Sequence, residues 1–168
     1  MNIGFYGIRE GVEIPKIQTK GSACFDLSVV FNGLREIHGF DDYNRPMVLD
    51  IVAFQLTIPA YSRVQIPLGY ILDIPVGYSV RIHPRSSMAW KRGLVLVNQE
   101  AVIDSDYVDE LKLLLVNTTG VPCVISNRER IAQGEIVAVE EVRFSVLSAA
   151  PEQKTDRQGG IGSTGVAA

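Results

Sequence analysis

The apolar residues of this chain arrive in short Val-, Ile- and Leu-rich runs separated by Gly, Pro, Asn or Asp, a punctuation that admits strands and turns and little helix. The runs predict strands at Phe25–Phe31, Val48–Thr57, Arg63–Pro67, Tyr70–Ile74, Tyr78–Ile82, Leu94–Val97, Glu110–Val116, Cys123–Ser126 and Glu135–Val142. Pro59, Pro67, Pro75, Pro84 and Pro122 stand at or near the ends of these runs, where a missing N–H does least damage to a ladder. The expected class is therefore all-β, a barrel or sandwich. One helix fits, Ser86–Arg92, with Gly93 as its stop. Asn32–Pro46 has no sustained period and reads as a long excursion between strands. From Glu152 the composition turns polar and then glycine-rich, which predicts one β domain over 1–150 and a flexible arm over 151–168.

A length of 168 residues is enough for one self-sufficient core. No apolar run approaches the ~20 residues of a membrane span, and Met1-Asn2-Ile3-Gly4 does not open an export signal, so a soluble cytoplasmic protein with no membrane partner is expected. Cys24 and Cys123 lack zinc-site spacing and are expected as reduced thiols; His38 and His83 are too isolated to make a metal site. A net charge of −3 argues against a broad basic face for nucleic acid. An anionic ligand would need local neutralisation, for which a bound cation is the obvious means.

Four stretches could carry chemistry. Pro84-Arg85-Ser86-Ser87-Met88-Ala89 sets a guanidinium and two hydroxyls at a strand-to-helix junction, which favours an anion, although plain capping by Ser86 or Ser87 explains the same residues. Ala101-Val102-Ile103-Asp104-Ser105-Asp106-Tyr107 follows Leu94–Asn98 across a polar break that suggests a hairpin. Behind two aliphatics, Asp104 is expected in a partly desolvated pocket where it would orient and deprotonate a water; an ordinary turn aspartate is the plainer alternative. Arg130-Ile131-Ala132-Gln133 reads by itself as a solvated turn. Arg157 through Gly165 has the glycines and donors of a phosphate-cradling loop, but lacks the flanking strand, helix and lysine of a P-loop.

In order and spacing these stretches resemble the five motifs of the trimeric dUTPase family, from Gly21-Ser22-Ala23-Cys24-Phe25-Asp26-Leu27 to the Arg157–Gly165 tail, almost the whole chain. The resemblance implies a jelly-roll-like β subunit, a homotrimer with active sites shared between chains, and Mg²⁺-assisted hydrolysis of dUTP to dUMP and pyrophosphate. Such a reaction limits uracil incorporation into DNA and supplies dUMP for thymidylate synthesis. By the same carry-over Asp104 positions the attacking water, and Asp26 holds hydrated Mg²⁺ through water. Arg85, Ser86, Ser87 and Gln133 bind phosphates, while Asn98, Val102, Ile103 and Tyr107 accept uracil and deoxyribose. Arg157, Gly160, Ile161, Gly162, Ser163 and Thr164 close over the substrate.

The chain departs from the family pattern at Ile161, where an aromatic usually stacks on uracil, and at Cys24, Phe25, Ala101 and Asp109. Asn32–Pro46 lengthens the link between the first two motifs and is a candidate site for a protein partner. Two alternatives remain. A dCTP deaminase of the same superfamily would need a glutamate where this chain has Leu114, and so has no evident proton shuttle. A non-catalytic nucleotide-sensing protein would have no need of Asp26, Asp104 and the Arg-bearing tail together.

Overall fold

The computed structural model describes residues 1–156 and 159. The strands are β1 Gly4–Gly7, β2 Phe25–Ser28, β3 Glu36–Phe40, β4 Pro46–Val52, β5 Gln55–Ile58, β6 Arg63–Pro67, β7 Tyr70–Asp73, β8 Tyr78–Pro84, β9 Leu94–Leu96, β10 Ala101–Ile103, β11 Lys112–Asn117, β12 Cys123–Ser126 and β13 Arg130–Ala138. The helix α1 occupies Ser86–Arg92, between β8 and β9. A four-stranded sheet runs β10-β8-β13-β2, a seven-stranded sheet runs β12-β5-β4-β3-β6-β11-β9, and β1 pairs with β7. All pairings are antiparallel, as expected where strands are joined by short reversals.

The alternation of side chains decides which residues meet between the sheets. Leu27 and Ile82 from the smaller sheet and Leu56, Ile58, Ile66 and Leu113 from the larger one are wholly buried in one cluster. Three polar residues, Ser62, Ser79 and Asn117, are buried as well among the described residues, and Asn117 wholly so. Its amide donates to the carbonyls of Ile58, Pro59 and Val121 at 3.2, 3.1 and 2.7 Å, and its Oδ1 accepts from the Thr119 hydroxyl at 2.8 Å. The side chain thus pairs backbone groups that would otherwise be buried without partners.

Several expectations need correction. The run Val48–Thr57 is two strands rather than one, because the chain reverses at Ala53 and Phe54, both at positive φ (49° and 60°). That is the backbone sign of a tight hairpin turn, but neither residue is the Gly, Asn or Asp that advertises one. The excursion Asn32–Pro46 contains β3, which pairs with β4 from Glu36↔Asp50 to Phe40↔Pro46. Asp41 closes its tip, accepting from the backbone N–H groups of Tyr43 and Arg45 at 3.0 and 2.8 Å and from the Arg45 guanidinium at 2.7 Å. β1 has no counterpart among the predicted strands. The predicted strand Phe25–Phe31 is shorter, ending at Ser28, and the one over Glu135–Val142 is displaced to Arg130–Ala138.

The helix matches its expected span and stops at Gly93, φ 59°, where a Cβ would run into the Thr119 side chain. Among the described residues, no helix is long and apolar enough to cross a membrane.

Candidate active site

The stretches Gly21–Leu27, Pro84–Ala89 and Arg130–Gln133 converge on one pocket of about 420 Å³, lined by Asp26, Arg85, Ser86, Ser87, Arg130 and Gln133 together with Gln18, Ser22, Ala23 and Cys24. Strand pairing causes this. β13 lies between β2 and β8, with Gln133 opposite both Asp26 and His83, and Ala132 opposite Pro84. Arg85 follows directly as the N-cap of α1, in extended conformation (φ −76°, ψ 137°).

A bulge in β13 sets the rest. The register with β2 shifts between Arg130 and Ala132, so Ile131 and Ala132 are both buried while Arg130 and Gln133 emerge on the pocket side. Gly134 completes the approach, since a Cβ there would lie 2.8 Å from the Phe25 ring.

Asp26 organises the charges. Its Oδ1 is 3.0 Å from Arg85 Nε and its Oδ2 accepts from Arg130 Nη1 at 2.8 Å, with the carboxylate side chain only 11% exposed. Arg85 Nη1 also donates to the Arg130 carbonyl at 2.9 Å, and Gln133 Nε2 to the Pro84 carbonyl at 3.2 Å. Two guanidinium groups on one carboxylate leave a net positive pocket floor, suited to an anion with several oxygens. Ser86 and Ser87 are exposed, and no side chain caps α1. The capping explanation for these serines therefore fails, and among the described residues the N–H groups and hydroxyls of Ser86 and Ser87 are left for a ligand, while the Met88 N–H donates to the Arg85 carbonyl at 3.0 Å. Cys24 faces the same pocket; burial and then the charges of Glu135 and Asp26 push its thiol above the ordinary value. The thiol is thus neutral near pH 7 and is no nucleophile.

The stretch Ala101–Tyr107 lies elsewhere. Its arms do not form the expected hairpin: β9 pairs with β11 in the large sheet and β10 with β8 in the small one. The chain crosses between sheets over Val97–Glu100 because both arms turn apolar residues, Leu94 and Leu96 on one and Ala101 and Ile103 on the other, into the shared core. Ile103 is opposite Val80, so Asp104 follows toward the Tyr78 end of β8, remote from Arg85 at the other end. At strand rise the separation is roughly 20 Å, beyond the reach of side chains on one substrate phosphate chain.

Asp104 is exposed rather than held in a desolvated pocket, as are Asn98 and Val102. Tyr107 is half-buried; its hydroxyl donates to the Glu110 carbonyl at 2.9 Å, and burial followed by the charges of Asp109 and Glu110 raises its pKa. Arg157, Gly160, Ile161, Gly162, Ser163 and Thr164 lie outside the described residues.

Arg130, within the stretch Arg130–Gln133, carries no role in the sequence reading, and its place on Asp26 is the main addition. The sequence signal was two adjacent buried-type residues, Ile131 and Ala132, which break strand alternation. A separate apolar groove of about 500 Å³ lies against the large sheet between Phe40, Met47, Val48, Val97 and Leu114, away from the charged pocket.

With this geometry in place, comparisons with known proteins agree. The dUTPase family model matches residues 45–165. The deoxyuridine 5′-triphosphate nucleotidohydrolase of Rhizobium etli is 35% identical over 157 residues, covering 94% of this chain and 88% of the relative. Among solved structures, the dUTPase of Streptococcus mutans superposes with TM-score 0.65 at 25% identity, covering 84% of this chain and 99% of that one. Two more distant structures share the fold. The Staphylococcus bacteriophage 80alpha dUTPase with dUPNHPP has TM-score 0.76 at 18% identity, covering 98% and 99% of the two chains. A mutant dUTPase from phage phi11 of S. aureus, solved with a structural Mg(II) ion, has TM-score 0.68 at 15% identity, covering 89% and 98%. By family match and by full-length relatives, this chain belongs to the dUTPase family.

Proposed function

We propose that this chain hydrolyses dUTP to dUMP and pyrophosphate, with its phosphate-binding half and its water-activating half supplied by different copies of the chain. The observation that carries this reading is the Asp26–Arg85–Arg130 cluster with Ser86 and Gln133 on one pocket, while Asp104 stands at the other end of the sheet. In this reading the triphosphate lies in the pocket. Arg85, Gln133 and the Ser86–Ser87 turn contact its oxygens, and Arg130 offers a second guanidinium.

The residues fit a hydrated Mg²⁺. Asp26 spends one oxygen on each arginine, and a carboxylate has further lone pairs for metal-bound water. No group of three acidic or His/Cys side chains gathers among the described residues, which suits an ion held chiefly by substrate phosphates and water. When bound, Mg²⁺ would neutralise the triphosphate and stabilise the pyrophosphate leaving group.

Asp104 of a neighbouring copy holds the water and takes its proton as the water oxygen bonds to the α-phosphorus and the bridge to the β-phosphate breaks. Asn98, Val102, Ile103 and Tyr107 from that same copy receive uracil and deoxyribose. In this reading Arg157, Gly160, Ile161, Gly162, Ser163 and Thr164, beyond the 1–150 domain, close over the phosphates. A homotrimer is the assembly proposed to bring the two halves together. Cleavage of dUTP keeps uracil out of DNA and provides dUMP for thymidylate synthesis.

The test is an assay of purified protein with Mg²⁺ against dUTP, dCTP, dTTP and UTP, following pyrophosphate and ammonia separately. Pyrophosphate from dUTP alone is expected. Ammonia from dCTP would overturn the assignment, which leans on Leu114, a side chain with no proton to move, at the position a deaminase needs an acid. A second, additional role rests on the hairpin within Asn32–Pro46, whose tip carries Tyr43 with 75% of its surface exposed: a protein partner there, in the cytoplasm, would leave dUTP turnover intact. Deleting the hairpin tip would separate partner binding from turnover.

A further inference from the structure

A second polar pocket, of about 440 Å³, backs onto the phosphate pocket and shares Gln18, Asp26 and Arg130 with it. Its own wall is formed by the 11–16 loop, Ser28, Tyr70 and Arg128. Three basic side chains line it, Lys16, Arg128 and Arg130, against two acidic ones, Glu13 and Asp26.

Both carboxylates are already engaged. Glu13 stands 3.7 Å from both Lys16 and Arg128, and Asp26 holds Arg130 and Arg85. Arg128 is locally fixed: its backbone takes φ 64°, its N–H donates to the Val29 carbonyl at 2.8 Å, and its guanidinium lies over Gly11.

Tyr70 supplies the second observation. The residue is 2% exposed, and its hydroxyl has no hydrogen-bond partner among the described residues, a costly state for a buried donor. Burial pushes the phenol well above its ordinary pKa, so it remains a neutral O–H donor.

We infer that this pocket is an accessory site for an inorganic oxyanion of the phosphate class, bound by Arg128, Lys16, Arg130 and the Tyr70 hydroxyl. An anion there competes with Asp26 for Arg130 and loosens the guanidinium that faces the substrate. Its effect on turnover rests on the function proposed above; its binding does not. Free phosphate and product pyrophosphate share the required chemistry.

The test has two parts, both on the full chain at fixed ionic strength. Calorimetric titration with inorganic phosphate should count two phosphates per protomer in the native protein and one in Arg128→Gln. Phosphate, and separately pyrophosphate, should inhibit dUTP hydrolysis with a component that saturating dUTP does not relieve. That component should be lost in Arg128→Gln and Tyr70→Phe, whose uninhibited kcat/KM stays within about twofold of native. Inhibition by pyrophosphate alone would assign the site to product. Tyr70→Phe should fold normally, since it removes the orphaned donor, and phosphate should raise its Tm less than that of the native protein. One phosphate per protomer in every form, or purely competitive inhibition unchanged by both variants, would overturn the site. A native protein that counts two phosphates but leaves dUTP intact would sink the proposed activity and spare the site.

Discussion

The pocket around Asp26 and the segment around Asp104 both carry a carboxylate, yet they are built in opposite ways. Asp26 is nearly buried, and each of its oxygens meets a guanidinium fixed by the pairing of β2, β13 and β8. Asp104 is exposed at the end of a three-residue strand, and among the described residues its hydrogen bond is a backbone turn contact, Tyr107 N–H to its carbonyl at 3.2 Å. The first arrangement is assembled within one chain and contributes to its stability. The second holds a group in readiness for something that must come from outside the chain, which is what separation by the length of the sheet imposes.

The contrast is broken most severely at Asp104. Asp104→Asn should lower kcat for dUTP by about 10²–10⁴-fold, the usual contribution of a positioned general base. Its unfolding free energy should stay within about 0.5 kcal/mol of native, as for other surface changes. Full activity in that variant, or a large loss of stability, would remove the distinction between the two regions.

Mixing comes next in size. Arg85→Ala and Asp104→Asn chains, each inactive alone, should regain on the order of a quarter of the native rate when unfolded and refolded together in equal amounts. Each intact side chain is then drawn from a half-and-half pool of a closed symmetric oligomer. No recovery would mean that both residues serve from one chain.

Asp26→Ala inverts the outcome expected at Asp104. Urea unfolding should show a loss of about 1–2 kcal/mol, less than a fully buried pair would cost because both arginines remain partly exposed to solvent. KM for dUTP should rise along with it. An unchanged unfolding midpoint would show that the cluster is assembled only with substrate.

The smallest effect concerns Cys24. Its raised pKa implies slow alkylation by iodoacetamide near neutral pH and a rate that climbs only above the ordinary thiol value of 9.0. The sign follows from burial and the neighbouring carboxylates, which disfavour the thiolate. Non-hydrolysable dUTP analogue with Mg²⁺ should protect Cys24, because the thiol lines the same pocket as Arg85. Rapid alkylation at pH 7 would contradict the surroundings described for it.

Much of this was legible in the sequence for a simple reason: β-branched runs and their Pro and Gly boundaries report local backbone preference. Arg63–Pro67, Cys123–Ser126 and the helix Ser86–Arg92 fall where the residues predict. The reversal at Ala53–Phe54 was hidden because its positive φ is imposed by the pairing of β4 with β5 rather than by residue type. The hairpin proposed for Leu94–Ile103 misjudged partners, since alternation says which face a strand buries and not which neighbour it bonds.

By itself, then, the sequence determined the strand-rich class, the helix stop at Gly93, and which carboxylates, guanidiniums and hydroxyls were available for chemistry. Family membership was also written there, in the order of the stretches. Only the tertiary structure decided which of those groups meet. The bulge at Ile131, the placement of β13 between β2 and β8, and the divergence of β9 from β10 join residues distant in sequence. Such pairings are selected by burial of the whole core, a cooperative quantity that no local window of sequence contains.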